Sequence, residues 1–303
     1  MKNNVFDLRI ADGFNTIKCW IEKKTTKAGR ETEEACIDWN ALETEIKHMP
    51  YKTAEKDLSL FDKAKKGNVK AGKQLFLNLI CNNYTGKMTG MYGIGTLLRL
   101  SVFCFLKRLN EKLICHNCYA EHITVENACK LARATYVLCT FIFPAEMLPL
   151  MNVHVFRIES FGDLLNSNQA RNYINFVLKN SHVNFAIWTK NPWILYNVLE
   201  DYYHGKKPKN LQVIYSSPKM NVCASNILKL YTLKNGKSMI DKVFTVYTCD
   251  YALENNIAIN CGGAKCLECK LCYLKNKTVF INEMLKDDQP RYYKALKAHK
   301  AEK

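Results

Sequence analysis

The sequence predicts an α/β protein built on a parallel sheet. The sheet is expected as a partial or closed (β/α) barrel, with a mostly helical N-terminal region before it and a cysteine-rich segment after it. Three observations predict this. Apolar, β-branched runs start about 30 residues apart in the middle of the chain, the repeat length of a βαβ unit. Amphipathic stretches separate the runs. The runs are apolar on both faces, as strands covered by helices are.

Residues 5–10 and 16–21 read as strands. Residues 32–48 have helical patterning, with Ala35, Trp39, Leu42 and Ile46 near one face. Residues 52–73, rich in Lys, Ala and Asp, read as helical or mobile. Residues 1–84 are therefore expected to be a peripheral region, 85–255 the (β/α) core, and 256–303 a cysteine-rich metal segment with a basic tail. Gly86, Gly90, Gly93 and Gly95 precede an apolar stretch over 97–106 and match no P-loop, because no Gly-Lys-Ser/Thr follows. Thr124 is placed to N-cap a helix running to Cys139, with Glu126 in its first turn. Strands are expected over 153–158, 184–189, 211–215 and 243–247. Helices are expected over 168–179 and from Pro192, which opens a helix as N1 prolines do, to Tyr203.

Parallel sheets of either architecture place their sites at the carboxyl ends of strands. The residues there are Glu159-Ser160-Phe161-Gly162-Asp163, Trp188-Thr189-Lys190-Asn191 and Ser216-Ser217-Pro218. Ser160, Gly162 and Asp163 form a turn in which glycine permits close approach and the acid accepts from an amine or hydroxyl. Lys190 and Asn191 suit phosphate or carboxylate. The bland alternative for this turn is an ordinary strand-to-helix connection with an Asp cap. Arg157 and Glu159 alternate along the strand, which puts them on one face, placed to pair.

Fourteen cysteines require an explanation in a chain expected to be cytoplasmic. That expectation rests on the lack of a signal-like apolar stretch at the N-terminus and of any apolar run near the roughly 20 residues that span a bilayer. Spacing separates ligands from core thiols. Cys261, Cys266, Cys269 and Cys272 fall within twelve residues, with two adjacent C-x-x-C gaps. Such gaps let tight turns aim two sulfurs at one metal, either a tetrahedral zinc or a four-iron cluster. Cys115 and Cys118 form a second C-x-x-C, with Cys104 eleven residues earlier as the expected third ligand and His116 as a neighbouring or exposed residue. Three thiolates would leave one coordination position open. Cys19, Cys36, Cys81, Cys129, Cys139, Cys223 and Cys249 lack ligand spacing and read as small buried apolar residues.

The formal charge is +16, from 44 Lys and Arg against 28 Asp and Glu. It makes nucleic acid a candidate partner and a solvated lysine-rich surface the alternative. No Ser-His-Asp order or paired-carboxylate signature stands out.

Four segments in this order carry a resemblance: Cys118-Tyr119-Ala120, residues 156–164 (FRIESFGDL), residues 185–192 (FAIWTKNP), and Asn260-Cys261-Gly262 through Cys272-Tyr273. They resemble the phage gene product 88 family, found in phages and bacterial genomes and similar to radical-SAM barrels. The resemblance covers roughly residues 85–285. It implies a radical-SAM-like architecture in which three cysteines hold a 4Fe-4S cluster. The open iron of that cluster binds S-adenosylmethionine, and a glycine-rich acidic turn after the second strand binds the methionine amine. By this comparison Cys115 and Cys118 match the last two cysteines, Cys104 stands for the first, and Gly162-Asp163 for the turn. The C-terminal four would hold an auxiliary cluster. The spacing departs from the superfamily's, with ten residues between Cys104 and Cys115 where the superfamily has three. The implied function is an iron–sulfur protein of phage or bacterial origin. The alternative is a zinc-stapled, non-catalytic protein, nucleic-acid-binding or a phage accessory, with zinc held by Cys261–Cys272.

Overall fold

The computed structural model describes residues 4–301, with side chains to Leu296. The N-terminal region is not mostly helical. It opens with an antiparallel sheet, in order β1 (Val5–Leu8), β2 (Ile17–Thr25) and β3 (Glu31–Ile37). Strand β3 occupies the first part of the expected helix. Ala35 and Ile37 are two apart and both buried, which is strand spacing. Asp38 then accepts from the Ala41 N–H and starts α1 (Trp39–Lys47). Two ordered helices follow, α2 (Lys52–Lys65) and α3 (Val69–Leu79), the second capped by Asn68.

The main sheet has six parallel strands in sequence order. They are β4 (Tyr92–Ile94), β5 (Val155–Ile158), β6 (Asn184–Thr189), β7 (Leu211–Ser216), β8 (Lys242–Tyr247) and β9 (Phe280–Met284). Between them lie α4 (Val102–Arg108), α5 (Val125–Thr140), α6 (Ser167–Lys179), α7 (Pro192–Tyr202), α8 (Ile227–Leu230), α9 (Cys249–Glu254) and α10 (Cys266–Cys269), and α11 (Gln289–Ala301) follows β9. Among the described residues no pairing joins β4 to β9, so the sheet is open and the closed form of the expected barrel is not made. Strand β9 lies inside the segment expected to be only a metal segment and tail.

The β8–β9 connection carries α10 over one face of the sheet, whereas the crossover helices α5, α6 and α7 lie together on the opposite one. That face carries Phe156, Ile158, Phe185, Ile187, Leu211, Val213 and Val243, packed with residues of α5, α6 and α7. The same core takes in Leu42, Ile46, Phe61 and Phe76, and the Ala35 N–H donates to the Leu165 carbonyl at 2.8 Å. The N-terminal region is therefore packed into the core rather than peripheral to it. The other face carries Val155, Ala186, Ile214 and Ile281, covered in part by Tyr273 and the C-terminal cysteine segment. Among the described residues no helix is long and apolar enough to cross a membrane.

Candidate metal centre

The first cysteine group lies over the carboxyl ends of the strands. Cys104 sits in the first turn of α4, where Ser101 caps the helix by accepting from the Cys104 N–H at 3.2 Å. The chain then turns back. The Ile114 N–H donates to the Pro218 carbonyl just beyond β7, and Leu113 bridges Lys219. Tyr119, directly after Cys118, donates to the Ser160 carbonyl beyond β5 at 2.6 Å. The Cys115–Cys118 loop is thus stitched to two strand ends on the same rim as Asp163. His116 is exposed and its Nδ1 faces the Arg108 carbonyl at 2.9 Å.

The three thiols are half-buried and share charged neighbours. Burial pushes the Cys104 thiol up to about 12, Asp163 adds to the rise, and Lys107 opposes it. Burial also raises Cys115, against the pull of Lys190 and Lys107. Burial disfavours the Lys190 ammonium, but Cys115, Asp163, Cys118 and Cys104 together outweigh it and its pKa is raised. Lys190 and Lys107 are the cations beside this group, and the Lys190 Nζ donates to Ser216 Oγ at 3.1 Å.

The other strand-end residues serve mainly as frame. Asp163 Oδ1 accepts from Thr189 Oγ1 at 2.5 Å and from the Leu164 N–H, and Oδ2 accepts from the Lys190 N–H at 2.9 Å. Asn191 accepts from Lys107 Nζ at 2.6 Å and donates to the Leu164 carbonyl. Ser160 Oγ is paired with the Tyr84 hydroxyl at 2.6 Å. A Cβ on Gly162 would collide with Thr96 and the Glu159 carboxylate, so its bare backbone serves the chain's own close packing. Of the five residues expected to hold a cofactor, Lys190 retains the most unused donors. Asp163, by binding the Lys190 backbone, fixes where that lysine starts.

The expected Arg157–Glu159 pair is not formed. Strand β5 ends at Ile158, and Glu159 takes φ 55°, which turns its side chain into the helix-side core. There it accepts from Thr96, Gln169 and Tyr173. Arg157 stays on the opposite face, its guanidinium 4.0 Å above the Trp188 ring.

The second cysteine group packs against that face. Cys261, Cys266 and Cys272 are half-buried and Cys269 is exposed. The Cys261 N–H donates to the carbonyl of Asn282 in β9. Lys87 forms an ion pair with Glu283 and its Nζ lies 3.9 Å from Cys261 Sγ. Burial raises all three half-buried thiols, Cys261 to about 11 and Cys272 to about 12. Each of the three lies within electrostatic reach of Cys269, and Arg157 opposes the rise at Cys266 and Cys272.

Among the described residues no three of His, Cys, Asp or Glu are drawn into a geometry that holds a metal ion. The expected convergence of the four C-terminal sulfurs on one point, and of Cys104 with Cys115 and Cys118, is not formed. Neutral thiols gain little by crowding together, and closure on an ion is coupled to their deprotonation. The donor sets nonetheless fit a thiophilic metal: two groups of grouped thiols, each with a cation beside it.

Sequence reasoning missed Arg157 and Tyr273 as site residues. A signal was present. Arg157 interrupts the apolar run Phe156-Arg157-Ile158, and a tyrosine directly follows the last cysteine of each motif. Both tyrosines are electrostatic neighbours of Arg157. Of the seven cysteines read as buried core, Cys36 is half-buried with its thiol donating to Glu22, and Cys223 is exposed.

These features define an α/β protein with an open six-stranded parallel sheet and two cysteine groups, one at the strand ends and one on the face turned from the crossover helices. No family model matches the chain, and neither a curated protein nor a solved structure matches it.

Proposed function

We propose that this chain is an iron–sulfur protein of radical-SAM-like architecture. Cys104, Cys115 and Cys118 hold an open cluster, and Cys261, Cys266, Cys269 and Cys272 hold a second, fully ligated one. The observation that carries the reading is the joint placement of Cys104, Cys115, Cys118, Asp163 and Lys190 on the carboxyl rim of a parallel sheet. When bound, a cluster with one open iron supplies an electron and a coordination position. The chain's own residues do the rest. Lys190 offsets the charge of the thiolates and offers donors to a carboxylate, as on S-adenosylmethionine. Asp163 fixes the Lys190 backbone, with one acceptor direction left for an amine. Tyr119 fastens the cysteine loop to β5. Zinc at the C-terminal four, in a non-catalytic protein that binds nucleic acid, is the second reading. It is favoured by the +16 charge and by Lys265, Lys275 and Lys277 exposed around those cysteines.

Purification without oxygen, with iron, sulfide and zinc analysis, separates the two. Iron with matching sulfide and broad visible absorbance is the expected result. In a background lacking the C-terminal cysteines, Cys104→Ala should abolish the remaining absorbance. Zinc without sulfide, together with DNA or RNA binding that weakens steeply with salt, would replace the first reading by the second.

A further inference from the structure

Arg157 is a cation without an acidic partner among the described residues. It sits on the sheet face that the C-terminal cysteine segment covers. Its guanidinium stacks on Trp188 at 4.0 Å, and Nη1 reaches Met88 Sδ at 3.4 Å. Its Nε is buried and unpartnered, and so is the hydroxyl of Tyr273. The Tyr273 and Trp188 rings are 5.8 Å apart, and Cys266 and Cys272 pack in the same cluster. The Arg157 guanidinium neighbours the Tyr273 hydroxyl oxygen, yet neither the Nε–H nor the Tyr273 O–H has an acceptor, and both lie beside two thiols.

Leaving such donors unmatched is unfavourable, most of all on a charged group. A thioether is a weak acceptor, and a ring face does not replace a directed hydrogen bond. What the neighbourhood lacks is a negatively charged acceptor, and a metal-bound thiolate is one. Lys87 reaches Cys261 and acts on Cys266 at longer range, but Glu283 already pairs with it, and it is not among the charges acting on Cys272.

We infer that Arg157 and Tyr273 donate hydrogen bonds to the metal-bound sulfurs of Cys266 and Cys272, which makes Arg157 the positioning residue and counter-charge of the C-terminal centre. This rests on the metal reading above but not on which metal is bound. Hydrogen bonds and positive charge at cluster sulfurs favour the reduced, more negative state and so raise the reduction potential. Arg157 also neighbours Tyr119, the residue after Cys118, so it stands between the two cysteine groups.

The test uses the full chain with Cys104, Cys115 and Cys118 replaced by alanine, so that only the C-terminal centre reports. R157Q, R157K and Y273F are compared with the parent, purified without oxygen and analysed for iron, sulfide and zinc. With iron bound, R157Q should shift the midpoint potential to more negative values and speed metal release to a chelator at least about tenfold. R157K should restore most of the potential by restoring charge, and Y273F should move both readouts the same way by less. With zinc bound, the iron reading fails while the release rates still decide the inference. Unchanged potential and release in both R157Q and Y273F would overturn it, as would a parent that binds no metal. Y273F removes one atom and keeps the decision open if R157Q does not fold.

Discussion

Glu159 shows how much one backbone angle decides. A side chain at φ 55° is strained by about 1–2 kcal/mol relative to ordinary conformations. Its reward is four donor contacts in a buried pocket, from the Thr96 N–H and hydroxyl, Gln169 and Tyr173. Burial pushes its carboxyl from the ordinary 4.5 up to about 8, although the donors from Tyr173 and Thr96 work against it. The folded protein thus keeps a proton that the unfolded chain releases above about 4.5. Glu159 contributes most to stability below that value and loses its contribution as pH rises toward about 8. Thermal unfolding followed from pH 5 to 8 should show stability falling across this window, with a flatter profile in Glu159→Gln. That variant should also be less stable at pH 5 by about 1–3 kcal/mol, because its amide brings two N–H donors where the protonated acid brings one O–H, and only the Thr96 and Tyr173 hydroxyls can turn to accept. A variant that keeps the wild-type slope would mean that another group carries the proton.

At the level of elements, legibility followed pattern strength. Strand β6 was readable from Asn184–Thr189, and α7 from Pro192, because an apolar run and an N1 proline leave no competing interpretation. Strand β4 was hidden in a glycine cluster. Gly93 reads as a loop residue, yet a Cβ there would collide with the Tyr84 hydroxyl and the Arg157 carbonyl, so the glycine marks close approach within the sheet. Strand β3 was read as helix because Ala35 falls in phase with Trp39, Leu42 and Ile46. Only the Asp38 cap separates the two periods. At the site, the cysteine spacing was legible, and so was the position of Lys190 at a strand end. The internal use of Asp163 and Asn191 was not, because hydrogen-bond partners from other strands leave no local pattern. Helix packing yields its own prediction. Asp57 on α2 pairs with Arg133 on α5 at 3.0 Å, both buried, and Asn78 on α3 donates to the same carboxylate. Asp57→Ala leaves a buried guanidinium uncompensated and should lower stability by about 3–5 kcal/mol in denaturant unfolding. Replacing both partners by apolar residues, as in the double variant Asp57→Leu/Arg133→Met, should recover much of that loss. A single variant within about 0.5 kcal/mol of wild type would mean that water reaches the pair.

At the scale of the whole molecule, strand order explains why the second cysteine group matters to the fold. This parallel sheet, whose strands advance in sequence order, collects α5, α6 and α7 on one face, and its other face must be covered by something else. A closed barrel fills that side with its own strands' side chains. Here the sheet stays open, and Val155, Ala186, Ile214 and Ile281 are covered in part by Cys81, Tyr84, Met88 and Met91 ahead of β4 and otherwise by the cysteine segment, through Tyr273, Leu271 and the half-buried Cys261, Cys266 and Cys272. That segment has little regular structure, one four-residue helix, and an exposed Cys269. Its apolar contacts are few beside those of the helix-side core, so an ion tying its sulfurs together would supply much of its order. If these sulfurs hold the proposed metal, stripping it should therefore act locally. Chelator treatment, or replacement of Cys261, Cys266, Cys269 and Cys272 by serine, should open residues 255–280 to limited proteolysis and raise binding of a hydrophobic dye. The helix-side core, from α5 through β7, should stay protected from hydrogen exchange. Global loss of protection would make the metal a determinant of the entire fold, and an unchanged cleavage pattern would show that packing alone holds the cover in place.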